Sequence, residues 1–474
     1  MKKFILALAI SLATAVPSAV AGDIDYTQGV IFINEDWYGH QNSTVNYLLP
    51  DEPGGDYWHY RVVQTENPGV ELGCTAQHGA IWNGRLYIVA KQEKDPGATV
   101  TGGRLTVLDA STMKVIKQLQ LIDPSGRQCD GRAFLGIDEH KGYVSTSNGI
   151  WRLNLDTIEI EGQVEGTANP NVGDDKPASD PTSSLYYGQT GTMVLAAGRV
   201  FAVHQQYGLL VIDPETDKVT DVLDMGIVNE AVEADTGEAP RRSAGIGSTI
   251  VRAADGSLWH SVAKNVQGSG STYPYIVRVD PATLQREIVK IEGADIYPPA
   301  NSWYAWTPDP FCASETSNTL YWCGGQNSWF TNYRVFRFDV DTRTTELLID
   351  FNKLDGDWHI YGCSLGVHPV SGELYMSLFH KFADPIYITR RYSAGGELVM
   401  EYPMISNYWF PSLPVFPQSR YTADVPVEAN DGGECEVFNL AGVRVAVCAD
   451  TQNLRPGIYI RRSASGRTSK FVVR

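Results

Sequence analysis

The chain has 474 residues, enough for a large core and for more than one domain. Its formal charge at neutral pH is −17. Such an acidic surface repels phosphate backbones, so we expect no nucleic-acid partner.

The N-terminus carries the features of a secretory signal. Two lysines precede the apolar stretch from Phe4 to Val16, and Ala19-Val20-Ala21 is a small-x-small cleavage site. We therefore predict a signal peptide at residues 1–21, whose loss takes the charge from −17 to −19. The apolar stretch is too short to remain as a membrane span, so we expect no transmembrane segment after cleavage. The sequence predicts export to the periplasm, the cell surface or the extracellular space.

A short phrase recurs along the chain, in which an apolar residue and an aromatic residue follow a small or turn residue. The aromatic residues lie 54 to 62 positions apart. They are Phe32, Tyr87, Tyr143, Phe201, Trp259, Tyr321 and Tyr375. A period of this length, filled with short strand-like runs, is typical of a ring of four-stranded sheets. The sequence predicts an all-β fold: a seven-bladed β-propeller followed by a small C-terminal β-sandwich-like domain.

A second phrase, D-x-x-T, follows the first in several repeats. Its copies are Asp109 to Thr112, Asp213 to Thr216, Asp280 to Thr283, Asp339 to Thr342 and the variant Asn154 to Thr157. Asp and Thr side chains bond the backbone of tight turns, so the phrase predicts the hairpin between strands three and four of each blade.

The domain boundaries follow from where the period stops. We predict the propeller at 22–418 and a separate β domain at 419–474, joined through the proline-rich stretch around Pro411 to Val425. Polar insertions are expected at Gly166 to Ser184 and at Val228 to Arg242. Too few residues precede Phe32 to complete its blade, so the segment near 400–418 must return a strand and close the ring.

Seven cysteines in an exported chain favour disulfide pairing. Cys312 and Cys323 flank a predicted hairpin turn, and Cys435 and Cys448 are symmetric about Ala441-Gly442. We predict both as cross-strand disulfides. The pairing of Cys74, Cys129 and Cys363, which occupy similar positions in three repeats, stays open.

In a propeller, the loops between strands two and three and those between blades leave the ring at the same end, where ligands usually bind. Positions just after the repeated aromatics carry amides or cations in nearly every repeat, and aromatic residues are frequent in the same loops. Such side chains suit a ligand with a flat ring or many hydrogen-bonding groups. The predicted ligand-binding residues are Trp37, Gln92, Gln206, Trp306, Gln326, Trp358 and His380.

Signals for catalysis are weaker. The histidines form no metal-binding pattern and no serine lies in a nucleophile elbow, so we predict neither a metal site nor a cofactor. Glu35, Asp130 and Asp357 are candidates for an acid–base pair at the axis of the ring, although the spacing selects no two of them.

Several segments resemble a family of Bacteroidetes envelope propellers with a domain called YncE-like or DUF5074. The resemblance is carried by residues 33–39, 72–77, 83–89, 361–369 and 395–398 and extends to about residue 416. The family includes surface lipoproteins that capture cobalamin for a TonB-dependent transporter. The tail, through residues 437–442, 454–460 and 470–473, is similar to C-terminal type IX secretion sorting domains.

Together these features favour a ligand-binding protein of the bacterial cell envelope that is not an enzyme. The resemblance implies a corrinoid (cobalamin-like) nutrient as its small-molecule ligand and an outer-membrane TonB-dependent transporter as its partner. Two alternatives remain: a propeller enzyme that acts on glycan or peptide through axial carboxylates, and an envelope platform for protein–protein contacts.

Overall fold

The structure is a computed structural model. It describes residues 24–171, 188–224, 226–238, 247–262, 264–266, 269–272, 274–293, 295–299, 308, 310–324, 331–354, 357–381, 384–407 and 409–421, and in the tail 436–439, 442–447, 454, 457–462 and 468–473. The predicted signal peptide and most of the predicted insertion at Gly166 to Ser184 lie outside these residues.

Nearly all regular structure in the described residues is β-strand. The first eleven strands are β1 (Val30–Asn34), β2 (Thr44–Leu48), β3 (Trp58–His59), β4 (Cys74–Trp82), β5 (Arg85–Gln92), β6 (Leu105–Asp109), β7 (Val115–Leu119), β8 (Gly131–Gly136), β9 (Lys141–Thr146), β10 (Gly149–Asn154) and β11 (Glu159–Gln163). The next ten are β12 (Thr190–Ala196), β13 (Arg199–His204), β14 (Gly208–Asp213), β15 (Lys218–Leu223), β16 (Ile250–Arg252), β17 (Leu258–Ser261), β18 (Lys264–Val266), β19 (Ser269–Thr272), β20 (Tyr275–Val279) and β21 (Arg286–Lys290).

The remaining strands follow the same plan. They are β22 (Phe311–Ala313), β23 (Thr319–Cys323), β24 (Thr331–Asn332), β25 (Arg334–Asp339), β26 (Thr344–Asp350), β27 (His359–Val367), β28 (Leu374–Lys381), β29 (Asp384–Tyr392), β30 (Leu398–Pro403), β31 (Pro411–Val415), β32 (Glu436–Asn439), β33 (Arg444–Val447), β34 (Gly457–Arg462) and β35 (Thr468–Val473). Helices are few: α1 (Val62–Glu66), α2 (Gly226–Thr236) and the 3-10 helix Phe351–Lys353. In the described part of the chain, no helix has the length and apolar character of a membrane span.

Apart from β18 and β19, which pair with each other as a separate two-stranded sheet, strands β1 to β31 form seven consecutive antiparallel sheets in the described residues. From inner to outer strand, sheet 1 is β31-β1-β2-β3, sheet 2 is β4 to β7, sheet 3 is β8 to β11, sheet 4 is β12 to β15, sheet 5 is β16-β17-β20-β21, sheet 6 is β22-β23-β25-β26, and sheet 7 is β27 to β30 with β24 beside β27. Each inner strand contacts the inner strand of the next sheet, and β27 contacts β31, so the series closes on itself. This is a propeller-like arrangement of sheets.

Closure depends on a strand from the far end of the ring. β31 pairs antiparallel with β1, placing Val415 opposite Ile31 and Leu413 opposite Ile33. The predicted return of a strand by the segment near 400–418 is confirmed. An all-β ring closed in this way leaves β1 without a free edge.

The seven repeated aromatics occupy one equivalent position. Each lies on the second strand of its sheet, and none is more than 1% exposed; they are Phe32, Tyr87, Tyr143, Phe201, Trp259, Tyr321 and Tyr375. Burying a side chain of this size stabilises the fold by about 1.5–3 kcal/mol. The repeated phrase therefore marks the packing between sheets.

The D-x-x-T phrases form the predicted hairpin turns. In the first, Asp109 Oδ1 accepts from the Thr112 backbone amide at 2.9 Å and from the Thr112 hydroxyl at 2.9 Å. Equivalent bonds to Thr side chains or amides occur at Asn154, Asp213, Asp280 and Asp339. The residue after each Thr has a positive φ, between 53° and 63°. These carboxylates have a structural role.

One predicted insertion contains regular structure. Within Val228 to Arg242 the sequence predicts only a polar insertion, but helix α2 extends through Thr236. Val228 and Val232 are buried against the core between sheets 4 and 5. These two valines lie four positions apart, which is a helical spacing in a segment otherwise rich in polar residues.

The predicted disulfide between Cys312 and Cys323 is not found, and both residues carry thiols. The hairpin closes where the Ser314 amide donates to Thr319 at 2.9 Å, so Cys312 lies opposite Tyr321. The two cysteines are thus diagonal neighbours, a geometry that does not match the Cβ separation of a disulfide. The prediction was wrong by two positions of register. Cys435 and Cys448 lie outside the described residues.

The cysteines at equivalent positions of the repeats are thiols as well. Cys74 Sγ donates to Asp95 Oδ2 at 3.4 Å, and Cys129 Sγ donates to the Thr146 hydroxyl at 3.1 Å. Burial raises the pKa of each of these two thiols to about 12. They are therefore poor nucleophiles at neutral pH.

The described residues of the tail form one antiparallel sheet in the order β33-β32-β34-β35. The sandwich-like packing of this tail stays a prediction.

Candidate functional site

One end of the ring collects the groups with unusual charge and burial. At this end the second strand of each sheet ends and its inner strand begins. For example, Gln92 at the end of β5 lies opposite Cys74 at the start of β4. The loops between strands two and three and those between sheets leave from this end. We call it the loop face.

Five of the seven predicted ligand-binding residues lie on the loop face in the described part of the chain. They are Trp37, Gln92, Gln206, Trp358 and His380. Trp306 and Gln326 lie outside the described residues. That these side chains bind a ligand stays a prediction.

Glu35 follows β1 and is buried, with 6% of its surface exposed. Its carboxylate accepts hydrogen bonds from the Gln77 amide on β4 and from the Tyr361 hydroxyl on β27, the latter at 3.0 Å. Because Gln77 and Tyr361 belong to inner strands, Glu35 points toward the axis of the ring. Burial raises the pKa of Glu35, against the opposing effects of Lys91, Gln77 and Tyr361.

Lys91 lies near the end of β5 and keeps a partly exposed surface. Burial lowers its pKa from 10.5 to about 8, and the positive charge of Arg132 acts in the same direction. The negative charges of Glu35 and Asp130 oppose this shift. An amine with so low a pKa in the field of a buried carboxylate is typical of functional sites.

Asp130 extends this charge network from sheet 2 to sheet 3. It is 2% exposed and lies 3.4 Å from Arg104 Nη1 and 3.7 Å from Arg132 Nη2. Arg104 also bonds Glu93 at 2.8 Å. Arg132 in turn donates through Nε to Gln189 at 2.9 Å, at the start of β12. The network therefore connects sheets 7, 1, 2, 3 and 4 along the loop face.

The pKa of Lys91 predicts a pH-dependent contribution to stability. A lowered pKa in the folded state means that the unfolded state binds more protons between about pH 8 and 10.5, so stability rises with pH across that window. Relative to the Lys91→Met variant, the wild-type free energy of unfolding should therefore increase by about 1–3 kcal/mol from pH 8 to 10.5. Urea titrations of both proteins at several pH values measure it. A constant difference would show that Lys91 titrates normally.

Aromatic side chains surround the charged groups near sheet 1. The rings of Trp37 and His40 lie 4.2 Å apart with a 33° tilt, and Tyr38 is 54% exposed. Beneath them Tyr60 stacks on Trp409 with ring centroids 5.3 Å apart. The β1–β2 loop thus presents aromatic surface to solvent directly over a packed aromatic base.

Trp358 and His380 contact other side chains of the protein. Their rings meet edge to face at 5.1 Å, and the Arg390 guanidinium lies 5.8 Å from the Trp358 ring. Trp358 also packs against the core between sheets 6 and 7. Trp37 packs against a core cluster as well, but it adjoins the exposed side chains of Tyr38 and His40, so it is the better candidate for an aromatic ligand anchor.

The two amides of the predicted set that the structure describes also differ. Gln92 is half-buried at the end of β5, close to the charge network. Gln206 is exposed and accepts a hydrogen bond from Asn171 Nδ2 at 3.0 Å. Gln92 therefore belongs to the end of a strand in sheet 2, whereas Gln206 lies in the exposed loop after β13 in sheet 4.

A family model described as a domain of unknown function, DUF5074, matches residues 28–417. The chain belongs to DUF5074. No curated protein matches this DUF5074 chain.

One solved structure supports the fold of this DUF5074 protein. It is described as a quinoprotein alcohol dehydrogenase-like protein from Bacteroides thetaiotaomicron; it is 16% identical, with a TM-score of 0.54 over 83% of this chain and 79% of that chain. Another, a protein of unknown function from Bacteroides caccae, is 12% identical, with a TM-score of 0.36 over 66% of this chain and 93% of that chain. At this identity the first likeness concerns the propeller-type fold alone, and the second is too distant for inference.

The axial carboxylates predicted from the DUF5074 sequence separate into two groups. Glu35 and Asp130 lie in one network, on either side of Lys91. Asp357 is exposed and acts on His359 instead. Burial lowers the pKa of His359, and the charge of Asp357 opposes this larger effect. Within the described residues, no three His, Cys, Asp or Glu side chains are grouped so that they could hold a metal ion.

Sequence reasoning missed the polar residues on the inner strands of this DUF5074 protein. Gln77, Arg132, Gln189 and Tyr361 all contribute to the network, and each lies 10 to 14 positions before a repeated aromatic. The predicted amides instead follow the repeated aromatics, which lie on second strands. In the sequence, a polar residue within an otherwise apolar inner strand was the signal that could have identified them.

Proposed function

We propose that this protein is a seven-bladed propeller of the cell envelope that binds a small ligand at the loop face and catalyses no reaction. The seven sheets supply the blades, and the closed series of inner strands supplies the ring. Export through the N-terminal signal and a type IX-like sorting role of the tail are parts of the same proposal. They rest on the sequence features and resemblances alone.

The observation that carries the proposal is the combination of groups on the loop face. Exposed or partly exposed aromatic rings at Trp37, Tyr38 and His40 adjoin a buried network in which Lys91 keeps an accessible surface. Aromatic faces bind flat conjugated groups, and oriented polar groups bind amides or carboxylates at the periphery of a ligand. A corrinoid combines both kinds of group. The resemblance to cobalamin-capturing propellers is what makes a cobalamin-like nutrient the proposed ligand and a TonB-dependent transporter the proposed partner.

The test measures binding to the mature full chain. Calorimetric titration with cyanocobalamin, haem and a glycan panel should reveal one ligand, and Trp37→Ala should weaken its affinity by about 2 kcal/mol, roughly thirtyfold, if the ring is a hot spot. His140→Ala is the control, since His140 is an exposed ring between β8 and β9 at the opposite end.

Two results would contradict the proposal. Equal losses in the Trp37 and His140 variants would remove the loop face as the binding site. Absence of binding by every compound would favour the envelope platform for protein contacts.

A second function is favoured by one observation. Glu35 has a raised pKa and Lys91 a lowered one, and the charge of each acts on the other, as in an acid–base pair. An enzyme acting on glycan or peptide would use this pair. Glu35→Gln separates the two functions: an enzyme would lose turnover and keep substrate binding, whereas a binding protein shows no turnover before or after the change.

A further inference from the structure

Three buried carboxylates lie in the two neighbouring loops that follow β1 and β5. They are Glu35, Asp36 and Asp95, and none is more than 6% exposed. Glu35 accepts from Gln77 and Tyr361. Asp95 accepts from the Gly39 amide at 2.8 Å, the Gly97 amide at 2.7 Å and Cys74 Sγ at 3.4 Å. Both carboxylates are therefore satisfied by donors of the protein.

Asp36 differs from its two neighbours. Neither of its carboxylate oxygens has a hydrogen-bond partner among the residues that the structure describes. Its backbone is held in place, because the Asp36 amide donates to the Trp409 carbonyl at 3.2 Å and its φ is 57°. A buried carboxylate without donors is costly, so such a group is normally protonated, paired or bound to a cation.

The nearest cation of the protein does not neutralise Asp36. Arg61 lies close enough to lower the pKa of Asp36, but its guanidinium is 3.6 Å from Glu71 and 38% exposed. Burial has the larger effect and raises the pKa of Asp36 well above its ordinary value. Thr44 and Gln41 lie close enough to lower the pKa of Asp36 as donors, but neither reaches its carboxylate with the distance and angle of a full hydrogen bond.

Thr44 lies next to both Asp36 and Asn34. Asn34 is opposite Thr44 in the β1–β2 register, and its Nδ2 donates to Thr44 Oγ1 at 3.1 Å. Its Oδ1 is buried and has no partner in the described residues. The side-chain nitrogen of Gln41 is buried as well. Rotating the amide group by a half-turn would place its oxygen where this nitrogen lies. Carboxylate, amide and hydroxyl oxygens are the ligands of hard cations.

We propose that Asp36, Asn34 and Thr44 bind a hard cation of the Ca²⁺ or Na⁺ class inside the β1–β2 loop. Asp36 supplies the single negative charge, and Asn34 supplies a neutral oxygen at the end of β1. The bound cation fixes the loop that carries Trp37, Tyr38 and His40. The site depends on none of the ligand chemistry proposed for the loop face above.

The experiment uses the mature full chain after treatment with a chelator. Ca²⁺, Mg²⁺ and Na⁺ are added separately at constant ionic strength, and melting temperature and calorimetric binding are recorded. We expect one cation to raise the melting temperature of the wild type by several degrees. Asp36→Asn should bind that cation at least tenfold more weakly and lose the shift. Asp95→Asn is the matched control: it should lower the baseline stability and keep the cation-dependent shift.

A second variant covers the case in which Asp36→Asn fails to fold. Asn34→Asp adds a carboxylate beside Asp36, so it should bind the cation more tightly and be less stable after chelation. The proposal is overturned if no cation shifts the wild type, or if Asp36→Asn shows the same shift as the wild type. If no cation shifts the wild type and Asp36→Asn is more stable than the wild type, then the Asp36 carboxylate is unpaired and is protonated or hydrated.

Discussion

Truncation after Tyr392 is expected to abolish folding, whereas truncation after Asp424 is expected to leave the ring intact. The shorter chain loses β31, which pairs with β1 and contacts both β4 and β27. Its loss exposes the edge of β1 and the apolar side chains that β31 covers, including Ile31 and Ile33. Because inner strands support one another around the ring, removing one of them opens the whole series.

The longer chain keeps every described contact between the end of the propeller and its body. Gln418 donates to the Thr27 carbonyl at 2.9 Å, the Ser419 hydroxyl donates to Glu315 at 2.6 Å, and Tyr421 lies 5.7 Å from the Arg252 guanidinium. Circular dichroism, gel filtration and calorimetry of the two truncated proteins measure the difference. An unfolded product of truncation after Asp424 would show that the tail belongs to the same folding unit, and that the boundary predicted at residue 418 is wrong.

The sequence could predict the sheets because their determinants are local and repeated. The aromatic on each second strand and the D-x-x-T turn recur with the same spacing, so each copy supports the assignment of the others. The returning strand could also be predicted, since β1 alone could not complete its sheet. Counting strands against the available chain length was sufficient for this step.

Register and long-range contacts could not be predicted in the same way. The Cys312 hairpin depends on which backbone pair closes the turn, and Ser314 with Thr319 shifts the facing residue from Cys323 to Tyr321. The charge network depends on neighbours from different sheets, such as Glu35 with Tyr361, which lie 326 positions apart. No local pattern contains that pairing.

Replacing Glu35 with Ala is expected to lower the free energy of unfolding by about 3 kcal/mol or more, as is typical when one member of a buried ion pair is removed. The change removes the negative charge that acts most strongly on Lys91 and leaves the donors of Gln77 and Tyr361 without their acceptor. Tyr361→Phe removes only one hydrogen bond to a charged group, so its cost should be smaller, about 1.5–3 kcal/mol. Urea denaturation followed by tryptophan fluorescence measures both effects.

The ion pair itself is tested by a double-mutant cycle. If Glu35 and Lys91 stabilise each other, Lys91→Met should recover part of the loss in the Glu35→Ala background, because the uncompensated buried charge is then gone. Glu93→Ala is the matched control: Glu93 is 38% exposed and its partner Arg104 keeps Asp130, so the cost should stay below about 1 kcal/mol. Additive losses at Glu35 and Lys91 would show that the two charges act independently, and the acid–base function that depends on their coupling would then lose its structural support.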